Sequence, residues 1–266
     1  MEKSDDLIGL IPAGGQALRL GNLPCSKEIY PLQLWSGDVN EPRVVSEHLV
    51  KYYQKGGCSY IYFIIREGKW DIPAYFGDGH RFNTRIGYLM MDLPYGTPFT
   101  LDQAYPYVKD KFIALGFPDI IMEPVNAFKD LYKHIKITGA DVALGLFPTD
   151  RPGKTDMVRL DNEGQVKEIV IKQKDNGLKY GWYIAVWSPK FTEFLHAQIE
   201  NVRQSVGDGK IQTQDGLREM YVGDVIIEAI KNNFRVESMV FENGGCIDIG
   251  TPEDLRAYLH KKTNLE

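Results

Sequence analysis

Apolar and polar residues follow two periods along this chain, and the two take turns. Leu7 to Ile11 is an apolar run that predicts a strand. The stretch 41–56 then puts Val44, Val45, His48, Leu49, Tyr52 and Tyr53 on roughly one helical face and stops at Gly56-Gly57. Tyr60 to Ile65 predicts the next strand. The order repeats: Phe99 to Val108 as a helix cut short by Pro106, Lys111 to Leu115 as a strand, Pro124 to Thr138 as a helix, and Asp141 to Phe147 as a strand. Strands that alternate with helical segments in this way are the signature of βαβ units, so this half predicts a doubly wound arrangement.

After that the pattern changes. Asp156 to Leu160 and Val166 to Ile171 flank Asp161, Asn162, Glu163 and Gly164, a turn composition that predicts a hairpin. Tyr180 to Trp187 predicts a strand, Pro189 to Ile199 and Tyr221 to Asn232 helices, Arg235 to Glu242 a strand, and Pro252 to His260 a closing helix. No low-complexity linker or internal repeat interrupts the order. The expectation is one α/β domain over residues 1–266, with a mixed, mostly parallel sheet and an embedded β-hairpin region.

Composition narrows the classes. With 43% hydrophobic and 25% charged residues among 266, the chain has the make-up of a globular protein and not of a disordered or fibrous one. Its formal net charge of -5 argues against a nucleic-acid partner, which needs a concentrated basic surface. The acidic start lacks the basic region of a signal peptide, and no window approaches the roughly 18 apolar residues of a membrane span. Cys25, Cys58 and Cys246 are odd in number and far apart, without disulfide-framework or zinc spacing. A cytoplasmic protein with no membrane partner is expected.

The segment GLIPAGGQALRLGNLPCSKEIYPL carries the most chemistry. A strand runs into Gly14 and Gly15 and then into a stretch holding Arg19 and Lys27. Glycines let backbone N–H groups approach phosphate oxygens, and an Arg fork and a Lys charge can neutralise a triphosphate. The plain alternative is a glycine turn with two solvated cations. Neither GxGxxG nor the P-loop GxxxxGK[ST] is present, and no HExxH or G-x-S-x-G motif suggests a zinc protease or an α/β-hydrolase.

As a whole the segment resembles the opening of the sugar-phosphate nucleotidyltransferases, close to LAGGxGxRLxPLTxxxPKxLLPV. It is similar in particular to the glucose-1-phosphate thymidylyltransferases, which also have Ser-Lys where Ser26-Lys27 stand. It departs from them at Ala17, where a third glycine is usual, and in a shorter stretch between Arg19 and Lys27. FIALGFPDIIMEP resembles the family's LGD motif with two extra residues before Asp119. GGCIDIGTPEDL matches W-x-D-x-G-T-P-E-D, with Cys246 at the aromatic position and Asp248 as a second carboxylate; Thr251 and Pro252 also read as an N-cap and first helical residue. LPYGTPFTLDQA resembles the base-pocket segment through Pro94 and Gly96, although Met91 or Asp92 stands where a glutamine is typical. The family's Glu-Lys-Pro falls on Ile171, Lys172 and Gln173, and Lys174 competes with Lys172 on the same strand face. YGWYIAV resembles the TGxY strand, with Gly181 beside the sugar and Tyr183 in the core.

The resemblance runs from about Leu7 to Tyr258 and implies a single three-layer α/β/α domain. The chain ends soon after its last predicted helix, so the second, solenoid acyltransferase domain of some relatives is not expected. The implied activity is magnesium-dependent transfer of a nucleoside monophosphate from a dTTP-like triphosphate to a sugar 1-phosphate, with release of pyrophosphate. It assigns Arg19 and Lys27 to catalysis, Ala13, Gly14, Gly15, Gln16, Pro94, Gly96 and Asp119 to the nucleotide, Lys172, Lys174 and Gly181 to the sugar phosphate, and Asp119 with Asp248 to Mg2+. A homo-oligomer is compatible with it. Two other readings stay open: an inactive nucleotide-sugar sensor or subunit, and a transferase acting on a non-sugar phosphate.

Overall fold

The computed structural model describes residues 4–15, 21, 23–32, 43–92, 95–206 and 219–263. Among these, strand β1 (Ser4–Pro12) lies in the middle of an open sheet. Its side chains alternate, with Leu7 and Ile11 in one core cluster and Ile8 and Leu10 in the other, so both faces are buried. A short apolar run covered on both sides is what a central parallel strand requires. The next elements are α1 (Glu47–Gly56), β2 (Cys58–Arg66), α2 (Asp71–Phe76), β3 (Arg85–Met91), α3 (Thr97–Asp102), α4 (Tyr105–Val108), β4 (Phe112–Leu115), β5 (Ile120–Glu123), α5 (Ala127–Thr138) and β6 (Val142–Pro148). The hairpin β7 (Met157–Leu160) and β8 (Val166–Val170) follows, then β9 (Tyr180–Trp187), α6 (Pro189–Val206), α7 (Val222–Lys231), β10 (Val236–Val240), β11 (Gly245–Asp248) and α8 (Pro252–Thr263).

The main sheet runs β10-β6-β9-β4-β1-β2-β3, with β9 antiparallel to both neighbours and the other pairs parallel. The β7–β8 hairpin hangs from β9, and β11 pairs with β5 as a separate two-stranded ribbon. One face carries α1 and α5 over Tyr53, Phe63 and Phe128; the other carries α3, α6 and α7 over Phe99, Trp187 and Phe191. This is the expected mixed, mostly parallel α/β arrangement in three layers.

Tyr53 shows how the layers are registered. A Cβ on Gly9 would sit 2.5 Å from the Tyr53 ring, so glycine is what lets the ring lie flat on β1. The buried Tyr53 hydroxyl then donates to the Leu10 carbonyl at 2.6 Å and accepts from the Gly116 N–H at 2.7 Å. One side chain thereby fixes the ends of β1 and β4, and burial pushes its pKa well up against the opposing effect of the Gly116 N–H.

Several predicted boundaries move. Helix α1 starts at Glu47 and not at residue 41, because Val44 bridges Pro31 in extended pairing and the Glu47 carboxylate takes the Arg43 N–H. Helix α6 runs on to Val206. Strand β8 ends at Val170, so Lys172 and Lys174 lie in a loop and the period-two argument that put them on one strand face does not apply. The helix predicted over Phe99 to Val108 is not cut short at Pro106: it breaks at Gln103–Ala104, and Pro106 sits in the first turn of α4, where its missing N–H is tolerated. Elements α2, β3, β5 and β11 had no clear signal: β3 is a half-exposed edge strand, and β5 and β11 have four residues each. Among the described residues no helix is long and apolar enough to cross a membrane. The three cysteines are free.

Candidate active site

From β1 the chain moves outward through β2 and β3, then returns to place β4 on the other side of β1. Where strand order reverses in this way, the loops at the carboxyl ends part and leave a crevice. A cleft of about 410 Å³ opens there. Gly14 and Gly15 after β1, Asp119 after β4, and Gly96, Lys27, Lys172 and Asp248 all line it.

Lys27 begins a one-turn 3-10 helix, Lys27–Ile29. Its Nζ lies 2.7 Å from Asp119 Oδ2, and the two side chains are 19% and 14% exposed. Burial works to lower the Lys27 pKa, but the Asp119 carboxylate, with Glu28 and Asp248 further off, more than offsets this and leaves it raised. The ammonium therefore stays charged inside the cleft. Both neighbours of Lys27 are anchored. Ser26 donates its N–H at 2.6 Å and its hydroxyl at 2.7 Å to the two Asp71 oxygens. Glu28, fully buried, receives Lys69 Nζ at 2.7 and 2.8 Å. Burial lowers the Lys69 pKa, against the pull of Glu28. Lys27 is thus presented from a short turn clamped on both sides.

Strand register brings the two carboxylates together. In the β11–β5 ribbon Asp248 faces Ile120, the residue after Asp119, and the Ile249 N–H donates to the Asp119 carbonyl at 2.9 Å. Asp248 Oδ1 accepts the Gly250 N–H at 2.7 Å. Two carboxylates and a lysine at one point of a cleft are hard oxygen donors with a balancing charge, a set that fits Mg2+ shared with phosphate oxygens. A second metal-capable group, Asp102, His196 and Glu200, is filled by Arg203, whose Nη1 lies 3.2 Å from Asp102 and 2.6 Å from Glu200.

The far wall comes from α7 and the segment before it. Gly96 has φ +117, and a Cβ there would meet the Met220 carbonyl oxygen at 2.1 Å, so the close approach this glycine permits is to Met220. Gly223 permits a second one: its Cβ would meet Asp156, Ile169 and Ile171, and without it α7 lies directly on β8. Tyr221 is thereby carried under Lys172, whose Nζ sits 3.8 Å from the ring centroid. Lys172 has φ +45. Asn83, Asp175 and Asn233, the other described non-glycine residues with positive φ, are types that tolerate it; a lysine is not. Strain of this kind is held where the surroundings require it.

Other expected residues fall elsewhere. Ala13 is fully buried in the core and its N–H is taken by the Ile64 carbonyl at 2.8 Å, so it is not offered to a nucleotide. Gly181 is inside β9 under Thr155 and Thr149, while its neighbours Trp182 and Tyr183 line the cleft. Lys174 lies along Gly153 outside the lining. Tyr183 is in the core as expected, yet its hydroxyl reaches out to Thr149 at 3.0 Å and Thr155 at 3.1 Å. Arg19, Gln16 and Pro94 lie outside the described residues. Sequence reasoning missed Glu28, Lys69, Asp71, Asp156 and Tyr221. Each depends on a partner 40 or more residues away, apart from Asp156, which reads as an ordinary strand-edge carboxylate.

An open mixed sheet with its cleft beyond β1 and β4, closed by a β5–β11 ribbon, defines the nucleotidyltransferase α/β fold. Solved structures of this fold superpose over nearly the whole chain. A Bacillus anthracis protein described as a glucose-1-phosphate thymidylyltransferase, solved with sucrose, has a TM-score of 0.78 at 16% identity and covers 98% of this chain and 96% of its own. UDP-glucose pyrophosphorylase complexed with UDP-glucose gives 0.75 at 16% identity, with both chains covered in full at 100%. Among curated proteins, the low-salt glycan biosynthesis nucleotidyltransferase Agl11 of Haloferax volcanii is 23% identical over 253 residues, 93% of this chain. The chain spans 63% of that relative's length. No family model matches.

Proposed function

We propose that this chain, as one catalytic domain, transfers a nucleoside monophosphate from a nucleoside triphosphate to a sugar 1-phosphate and releases pyrophosphate. The observation that carries the proposal is the charged Lys27–Asp119 pair beside Asp248 in the switch-point cleft. An oxygen of the acceptor phosphate attacks the α-phosphorus; a new P–O–P bond forms as the bond to the bridging oxygen of pyrophosphate breaks. The attacking oxygen is already an anion, so no general base is needed, and catalysis consists of positioning and charge neutralisation.

In this reading Gly14 and Gly15 give backbone N–H access to the triphosphate, and Lys27 neutralises charge at the reacting phosphates with Arg19 on the leaving side. Gln16, Pro94 and Gly96 belong to the nucleotide side and Lys172 to the acceptor phosphate. Asp119 and Asp248 would hold Mg2+, which supplies charge neutralisation for the phosphates. A cytoplasmic setting suits these substrates.

The test is pyrophosphate release with Mg2+ from dTTP, UTP, CTP, GTP and ATP against a panel of sugar 1-phosphates. One preferred pair is the expected result, with dTTP and UTP the first candidates. Tight triphosphate binding with no turnover across the panel would instead favour a nucleotide-sugar sensor or a non-sugar acceptor.

A further inference from the structure

Strand β9 carries two buried tryptophans that differ in one respect. Trp187 is 2% exposed, and its indole N–H donates to Thr192 Oγ1 at 2.9 Å, as a buried indole normally does. Trp182 is 5% exposed, yet no group of the described residues accepts from its Nε1–H. The difference follows position. Trp187 packs on Phe191 in the core, whereas Trp182 lines the cleft.

Strand geometry puts it there. Gly145 pairs with Ile184 and Leu146 with Trp182, so Tyr183 is the extra residue of a β-bulge, and Trp182 and Tyr183 both reach the cleft. Bulges recur beside active sites, where they re-aim side chains. The Trp182 backbone N–H donates to the Asp156 carbonyl at 3.1 Å, and the Asp156 side chain packs on Gly223 of α7, the helix that follows Tyr221. Trp182 therefore belongs to the side of the cleft that holds Lys172 and Tyr221. Phe117 completes a two-ring floor, with its centroid 6.0 Å from that of Trp182. The hydroxyls beside it are engaged with one another: Thr155 and Tyr183 are 3.1 Å apart, and Tyr183 donates to Thr149 at 3.0 Å.

A buried donor without an acceptor weakens a fold, so one kept in a cleft points to an acceptor brought by the ligand. We infer that Trp182 is a specificity-determining residue for the acceptor: its indole N–H donates to an oxygen of the sugar, while the Phe117 and Trp182 rings cover the sugar's C–H groups. An indole N–H is a donor only, so the position selects an oxygen and rejects a C–H in its place. The nitrogen is covered, so the indole turns about χ2, a broad torsion for Trp, to meet that oxygen. The identity of the ligand rests on the transferase reading above, and the test has a readout independent of turnover.

That readout is the indole N–H itself, followed by NMR in the full chain labelled in nitrogen, with the Trp182 resonance assigned through its own backbone. Titration with glucose, galactose and mannose 1-phosphates is expected to shift this resonance. Inorganic phosphate will leave it in place, and the Trp187 resonance will stay fixed throughout. Calorimetry then compares the tightest of these ligands with its monodeoxy analogues. One analogue is expected to bind wild type at least about tenfold more weakly, the scale of one hydrogen bond lost from a buried donor. In Trp182→Phe, which keeps a ring in the floor and whose melting temperature will show that it folds, that gap closes to within about twofold. A sugar 1-phosphate that binds without moving the Trp182 resonance would overturn the inference, as would a deoxy gap that survives Trp182→Phe or the lack of any gap. No binding of any sugar 1-phosphate would sink this inference and the transferase reading together. The shift and the gap without pyrophosphate release would uphold Trp182 and sink the transferase reading alone.

Discussion

Lys27 keeps its charge in a place where burial works against it, because a carboxylate stands 2.7 Å away. If that charge meets the reacting phosphates, Lys27→Ala will lower kcat by about 10²–10³, the usual cost of removing one preorganised donor to developing charge. Pyrophosphate release at saturating substrates measures it, and a kcat within twofold of wild type would remove Lys27 from the reaction. Lys172 works at longer reach. Its ammonium rests on the Tyr221 ring, a contact worth roughly 0.5–2 kcal/mol. Tyr221→Leu will therefore raise KM for the acceptor by about two- to thirtyfold while KM for the triphosphate stays level, and Tyr221→Phe, which keeps the ring face, will raise it less than Tyr221→Leu does. Equal effects of Leu and Phe would show that the ring does not orient Lys172.

Elements decide where those residues meet. The β11–β5 register carries Asp248 to Asp119, and the turn holding Lys27 is clamped by the buried Glu28–Lys69 pair. Breaking one partner of a buried pair leaves an uncompensated charge, so Lys69→Met is expected to destabilise the fold by about 3–5 kcal/mol. Glu28→Leu with Lys69→Met will recover much of that in denaturant titrations; a double variant as unstable as the single one would refute the pairing argument. Glycine positions separate in the same way. Gly96→Ala, at φ +117 with the Met220 carbonyl in the way, will cost at least about 1–3 kcal/mol and activity with it, whereas Gly15→Ala meets nothing within 4 Å and will leave the melting temperature unchanged. The hairpin, with Asp161 Oδ1 accepting the Glu163 and Gln165 N–H groups, was legible from its turn residues because that chemistry is local. The loop position of Lys172 was not, since where β8 stops depends on α7 packing over it.

At the scale of the molecule, Asp254 ties α8 to the loop after β6. Burial would raise its pKa, but hydrogen bonds from Thr251, Lys154 and Arg151 hold it down at about 2. A carboxylate depressed in the folded state stabilises it fully above its ordinary pKa of about 3.9, and that stability is lost as pH falls from there toward 2. Between pH 4 and pH 2 the melting temperature of wild type will fall more steeply than that of Asp254→Asn; parallel slopes would show that the tie is not linked to protonation.

The sequence by itself determined the alternation of strands and helices, the turn residues, and the two end motifs around Gly14–Lys27 and Asp248–Asp254, because each of these is written in neighbouring residues. The tertiary structure alone decided that β1 and β4 adjoin, that Asp119 and Asp248 share a cleft with Lys27, that Ala13 belongs to the core, and that Tyr221 lies under Lys172. Those depend on pairing and close packing between segments tens of residues apart, where a single glycine such as Gly9, Gly96 or Gly223 sets the distance, and no local pattern encodes which segment will lie against it.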